Sequence, residues 1–384
     1  MPVPPHALPA IARVAASCVA LAATAACADA QPPARADTTP AGVSVRLAYD
    51  PNVRPGVAVL PVTGVYGDSV RAIVQRDLDY GDRVTVLTGR AADAPALPGG
   101  RVSYDLARTL GALAVVQAQV TPTGVRVTLH DVANRKVLVA RDVPLPAPAL
   151  SPAWRLAVHG ASDEIERAIT GVRGIAATRV AFVRERRVWV VDSDGENARP
   201  VSEPGALSPA WHPSGASLVH GTLDDAGRQR IVARPASGGA ARVLAQGGTT
   251  NITPAVAPDG ETVVYAHGEE SGTDLFAVPF GGGASRRVTV GRGTDNVSPS
   301  FSPDGRRLAF ASGRSGHPEV YIADADGTGA ELLTDFDFGE QNYRSNPDWS
   351  PDGRVVAFQA LMGGQFQVLT LALRDRSVKR HTAE

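Results

Sequence analysis

One phrase occurs four times in the second half of this chain: Pro209-Ala-Trp-His-Pro-Ser-Gly215, Pro254-Ala-Val-Ala-Pro-Asp-Gly260, Pro299-Ser-Phe-Ser-Pro-Asp-Gly305 and Pro347-Asp-Trp-Ser-Pro-Asp-Gly353. The closing glycines stand 45, 45 and 48 residues apart. A period in the mid-forties that carries only strand-like segments predicts a β-propeller, one blade per repeat. The turn chemistry agrees. Proline presets φ, and the glycine supplies φ > 0.

After each turn an apolar residue recurs in register: Leu218, Val263, Leu308 and Val356. Two residues later comes a second column of His220, Tyr265, Phe310 and Phe358. A spacing of two places both columns on one face of a strand. That face is expected to pack against the next blade. Val180 and Phe182 fit the same columns with no Pro-x-Gly phrase before them, and they mark an additional, first unit. A third strand and a hairpin close each unit, with turns at Asp194-Gly195, Gly238-Gly239, Gly281-Gly-Gly283, Asp326-Gly327 and Arg374-Asp-Arg376. Five outer hairpins against four inner-strand phrases predict about five units, the first without its inner strand.

The fold class expected is therefore mixed: a small N-terminal α/β domain, then an all-β propeller. Residues 1–30 read as a signal peptide. Arg13 is the n-region charge, Val14 to Ala26 is apolar or small, and Ala28-Asp-Ala30 is the cleavage site. Thirteen residues are too few to span a bilayer, and no later run is long enough. Both cysteines, Cys18 and Cys27, fall in this segment. The alternative reading is a lipid anchor at Cys27, although Thr24 stands where such signals carry leucine.

Residues 31–42 read as a flexible lead, 43–177 as the α/β domain and 178–384 as the propeller. In the α/β domain a strand is expected at Val57–Val62, a helix at Asp68–Tyr80 and a strand at Arg83–Leu87. A helix at Tyr104–Leu110 and strands at 114–120, 125–131 and 137–143 follow. Ser151-Pro152 then caps a long helix that ends at Gly171. The short link to Ala177 predicts two packed domains.

The formal net charge is −1, which argues against a nucleic-acid partner. The cations are almost all arginine, with only Lys136 and Lys379 as lysines. The chain holds no His-Glu-x-x-His pair, nucleophile elbow or phosphate loop. No enzyme activity, cofactor or metal is expected. The nearest metal candidate, Asp324 to Asp335, matches part of a calcium loop, yet the repeat phase already explains it as a hairpin turn. The loops before the inner strands, Pro204–Ser208, Gly247–Thr253, Gly293–Ser298 and Gln341–Asn346, are polar and nearly uncharged. Such loops suit hydrogen bonding to a protein backbone.

Taken together the residues resemble the TolB family, periplasmic propeller proteins of the Tol-Pal envelope system. The phrase Ser208-Pro-Ala-Trp-His-Pro-Ser-Gly215 is typical of it, and other propellers share it. More specific are Val45-Arg-Leu-Ala-Tyr-Asp50 with Arg54-Pro-Gly-Val-Ala-Val-Leu-Pro61, His159-Gly-Ala-Ser-Asp-Glu-Ile165, and Thr170-Gly-Val-Arg-Gly-Ile-Ala-Ala-Thr-Arg-Val-Ala-Phe-Val183.

The resemblance implies a non-enzymatic, monomeric scaffold in the periplasm. It links a Pal-like peptidoglycan-associated lipoprotein to a TolA-like inner-membrane protein and supports outer-membrane integrity and cell division. By position, Thr250, Asn251, Asn296, Val297, Tyr343 and Arg344 would meet the Pal-like partner. Val43, Val45, Leu47 and Asp50 of the N-terminal arm would meet the TolA-like one. The family has six blades, so one unit and its closing strand are missing here. The alternatives are a periplasmic sensor of a small ligand or glycan and, more remotely, the regulatory propeller of a peptidase.

Overall fold

The computed structural model describes residues 54–291, 294–334 and 343–382. Residues 1–30, read from sequence as a signal peptide with both cysteines, residues 31–42, read as a lead, and the arm residues Val43, Val45, Leu47 and Asp50 lie outside the described residues. So does Asp335. Among the described residues no helix is long and apolar enough to cross a membrane.

The α/β domain opens with β1 (Gly56–Val59), α1 (Gly67–Tyr80) and β2 (Thr85–Val86). A short helix α2 (Arg90–Asp93) and a two-stranded ribbon, β3 (Ala96–Leu97) with β4 (Arg101–Val102), follow. Then come α3 (Tyr104–Thr109), β5 (Ala112–Thr121), β6 (Gly124–Asp131), β7 (Lys136–Pro144) and α4 (Pro152–Thr170).

The sheet order is β2-β1-β5-β6-β7, parallel at β2-β1-β5 and antiparallel beyond. The unbroken apolar run of β1 has a physical reason: the strand is buried on both faces. Val57 and Val59 pack under α1 and α4 with Val74, Leu78, Val158 and Ile165. Ala58 and Leu60 pack on the other side with Ala107 and Val115. At the start of α4 the Ser151 hydroxyl accepts the Trp154 N–H at 3.2 Å, and Gly171 closes the helix at φ 80°.

The passage into the propeller is pinned to this helix. The N–H groups of Ala176 and Ala177 donate to the buried Asp163 carboxylate at 2.7 and 3.1 Å. Gly174 lies so close that a Cβ there would sit 2.6 Å from that carboxylate and 2.7 Å from the carboxylate of Glu166. On the other side of α4, the first propeller hairpin presents Asp194 to the helix pair. Its carboxylate is ion-paired with Arg155 and, at 3.3 Å, with Arg76. The fully buried His159 lies between the two domains. Its Nδ1 is 2.8 Å from Asp77 and its Nε2 is 3.3 Å from Asp194.

The propeller has five blades. Blade 1 has three strands, Arg179–Arg184, Arg187–Asp192 and Arg199–Pro200. Blades 2 to 5 have four each, with inner strands at Leu207–Trp211, Thr250–Val256, Asn296–Phe301 and Arg344–Trp349. The two sequence columns lie on the second strands and are buried in blades 2 to 5. They face the preceding blade, a correction to the expected direction. Leu218 packs on Val188 and Val190 of blade 1, and Val356 and Phe358 pack on Ala309 and Val320 of blade 4. Among the described residues no blade packs on this face of blade 1, and Val180 is 52% exposed despite being in register.

The junction generates a pH prediction. Burial would lower the pKa of His159, but the Asp77 hydrogen bond and the charges of Asp77 and Asp194 outweigh both burial and Arg155, and the pKa is raised. A raised folded pKa adds stability that is complete below the ordinary value of about 6.5 and is lost as pH climbs through the raised one. Asp163 and Glu166 are also raised, chiefly by burial, but from the carboxylate range. Asp194 is lowered, with burial opposed by Glu196 and Arg155, so its contribution is complete at neutral pH. His130, His220 and His267 are lowered by burial and lose their contributions only as pH falls. Urea titrations should therefore show stability falling above pH 6.5, a fall that His159→Gln removes. An identical slope in wild type and variant would clear His159 of the effect.

Candidate functional site

The four inner strands converge on the central channel, and each carries the same irregularity. Ser208, Thr253, Ser298 and Asn346 have φ of 49°, 47°, 54° and 50°, each immediately before a proline. At these points the pairing with the second strand shifts register, between Leu207 and Ala210, Ile252 and Ala255, Val297 and Ser300, and Ser345 and Asp348. Non-glycine residues in this region cost about 1–3 kcal/mol each, and persist only where surroundings hold them.

Three of the four, Thr253, Ser298 and Asn346, are held by one another. The Ser298 N–H donates to Thr253 Oγ1 at 3.1 Å, and the Ser298 hydroxyl donates to Asn346 Oδ1 at 2.7 Å. The Ser300 hydroxyl donates to Asp348 at 3.0 Å. The four polar residues and the prolines after them line a shallow depression of about 300 Å³ that contains no charged group. This mouth presents hydroxyls, an amide and proline rings, a set suited to the polar and apolar parts of a protein surface.

The six residues singled out from sequence separate into two groups. Asn251, Asn296 and Arg344 are buried, at 1%, 0% and 2% exposure. They open inner strands and tie each one to the third strand of the blade before, a correction to their reading as loop residues. Asn251 Nδ2 donates to the Gln229 carbonyl at 3.0 Å. Asn296 Nδ2 donates to Asp274 at 2.9 Å, where Thr289 also donates at 2.9 Å. Arg344 donates to Glu319, which also accepts from Thr334 and lies 3.0 Å from His317 Nε2. Their polarity reflects an interior that needs hydrogen bonds between blades.

Thr250 and Val297 are half-buried, and Tyr343 is 39% exposed, its ring edge-on to Phe366 with centroids 5.6 Å apart. The mouth residues Ser208, Thr253, Ser298 and Asn346 are the last residues of the four loops singled out from sequence, although none of them was named individually as a contact. Their signal was a small polar residue before each repeat proline, and pre-proline residues ordinarily favour extended backbone, so the turn inward had no local cue.

The calcium-like segment is a hairpin turn. The Asp326 carboxylate accepts the Thr328 N–H at 2.9 Å, and the Asp324 N–H donates to the Thr328 carbonyl at 2.9 Å. Among the described residues no group of three or more His, Cys, Asp or Glu side chains is placed to hold a metal ion.

Comparison with known proteins agrees with this architecture. A sequence profile of the TolB beta propeller domain matches residues 166–383, more than half of the chain. The chain belongs to the TolB family. The Tol-Pal system protein TolB of Legionella pneumophila (strain Philadelphia 1) is 29% identical over 196 residues, 45% of this chain and 45% of that protein. Its counterpart in Polaromonas naphthalenivorans is 32% identical over 206 residues, 49% of this chain and 46% of the relative. The chain thus spans about half the length of the curated TolB relatives it matches. The crystal structure of TolB from Acinetobacter baumannii superposes with a TM-score of 0.72 at 24% identity, covering 87% of this chain and 84% of that one. That likeness is one of fold.

The Glu319–Arg344 pair gives this family member a testable clamp between blades 4 and 5. Removing one partner of a buried pair leaves an uncompensated charge and costs about 3–5 kcal/mol. Arg344→Ala is expected to lower the urea-unfolding free energy by that amount. A loss under about 1 kcal/mol would show that water or a neighbour replaces the guanidinium.

Proposed function

We propose that this protein is a non-enzymatic, periplasmic binding scaffold of Tol-Pal type, whose propeller mouth receives a Pal-like lipoprotein and whose N-terminal arm engages a TolA-like protein. The observation that carries the reading is the mouth itself. It is a shallow rosette of four strained repeat positions, Ser208, Thr253, Ser298 and Asn346, the last three joined by hydrogen bonds, and its lining carries no charged side chain. Backbone strain maintained at four equivalent points argues for a surface kept in a fixed form, and preorganised surfaces bind with less ordering cost. Family membership supplies the kind of partner. Tyr343, an exposed aromatic three residues before the mouth residue Asn346, is of the residue type that frequently anchors protein interfaces. Thr250 and Val297 flank the same face. Asn251, Asn296 and Arg344 act behind it, holding the inner strands that present it. In this reading the arm residues Val43, Val45, Leu47 and Asp50 contact the TolA-like partner.

The test is titration of the purified chain against the Pal-like lipoprotein of its own organism, with its lipid removed. Tyr343→Ala is expected to weaken binding by about 2 kcal/mol, near thirtyfold, if the ring sits at the centre of the interface. The single variant is preferred to a Tyr343–Arg344 double variant, because Arg344 belongs to the interior. Unchanged affinity in a folded Tyr343→Ala variant would remove the Tyr343 loop from the site. No binding by the wild type would overturn the Tol-Pal reading.

A further inference from the structure

Among the described residues, blade 1 has no strand in the position that its sister blades hold innermost. In blades 2 to 5 the inner strand pairs with Val219 and Gly221, Val264 and Ala266, Ala309 and Ala311, and Ala357 and Gln359. The equivalent residues of blade 1 are Ala181 and Val183. Their partners across the first hairpin are Val190 and Val188. The Val188 N–H and C=O are directed to the opposite side, toward Ser202 and Val201. In an antiparallel pair such residues leave their opposite numbers unbonded too, so the backbone groups of Ala181 and Val183 point outward from the sheet. Among the described residues no strand pairs with that edge.

The sector in front of the edge is walled by two apolar faces. Blade 1 contributes Val180, Phe182 and Trp189, the two rings stacked at 6.5 Å between centroids. Blade 5 contributes its far face, where Leu361 pairs with Phe366 and Gln359 with Val368; Phe366 is 54% and Val368 44% exposed. Consecutive blades share buried apolar clusters, whereas among the described residues no such cluster joins blades 5 and 1.

We propose that this open edge is a docking site for an extended strand of another polypeptide, with the chemistry of the chain's own inner strands: an aliphatic residue, then Ser or Thr, then proline, and an aromatic or branched residue two positions on. Unpaired strand N–H and C=O groups are satisfied in full only by another backbone, and strand addition to a free edge is an established mode of peptide capture. The pattern is read from Leu207-Ser-Pro-Ala-Trp211, Ile252-Thr-Pro-Ala-Val256 and Val297-Ser-Pro-Ser-Phe301, which fill the same position in blades 2 to 4. The site is separate from the mouth, and the proposal does not rest on the partner assigned there.

The probe is a fluorescent, end-capped peptide of residues 205–212, Gly-Ala-Leu-Ser-Pro-Ala-Trp-His, followed by anisotropy on the whole mature chain. Saturable binding is expected. It should weaken at least tenfold for Ala181→Pro, which removes an outward N–H while leaving the bonds to the second hairpin strand. It should weaken equally for a peptide N-methylated at alternate amides against wild-type protein, a control independent of how the variant folds. No saturable binding at millimolar peptide, or binding indifferent to both changes, would overturn the proposal. So would a concentration-dependent dimer that Ala181→Pro dissociates, since the occupant would then be a second copy of this chain.

Discussion

A propeller blade is a small sheet with two apolar faces, and neither is stable in water. Every blade therefore needs a neighbour on each side. Here that condition is met for blades 2, 3 and 4, where Val219, Val264 and Ala309 look one way and Leu218, Tyr265 and Phe310 the other, all nearly inaccessible to solvent. It is half met for blades 1 and 5. Burying a large apolar side chain contributes about 1.5–3 kcal/mol, so the stacked columns are the main source of cohesion, and the two uncovered faces are where cohesion stops.

Polar groups set the geometry that the apolar columns leave free. Flat apolar faces could slide past each other, whereas buried hydrogen bonds fix register. Asn251, Asn296 and Arg344 recur at the repeat spacing and perform this task with different chemistry. Two use an amide and one uses a guanidinium, and the acceptor changes accordingly from Gln229 to Asp274 to Glu319. The inner strands are thereby held at a fixed radius, and the left-handed residues before the prolines are held against the channel. The mouth is a consequence of these clamps. The α/β domain is attached by the same kind of device, with Asp194 of the first hairpin received by Arg76, Arg155 and His159.

Much of the architecture was legible in the chain. The repeat phrase and its columns disclosed the blades, the missing inner strand and the hairpin nature of Asp324 to Thr328. The Ser151-Pro152 cap and Gly171 bounded the last helix. These signals are local, arising from turn chemistry and from the two-residue period of a strand. The small β3–β4 ribbon and α2 carried no such period and went unread. The reading of Asn251, Asn296 and Arg344 as loop residues failed for a related reason. A polar residue beside a turn looks the same whether it faces water or a buried acceptor 22 to 25 residues earlier in the chain.

Sequence alone determined that this is a five-unit propeller joined to an α/β domain, because period, turns and caps are encoded within a few residues of where they act. Tertiary structure decided which face of each blade looks backward and which polar residues are interior. It decided that Ser208, Thr253, Ser298 and Asn346 meet at one mouth, and that His159 meets Asp194. Those outcomes depend on segments about 22 to 48 residues apart being brought into contact, and such contacts are set by the stacking of the blades around an axis and by the docking of the first hairpin on the α/β domain. No window of the chain contains that axis.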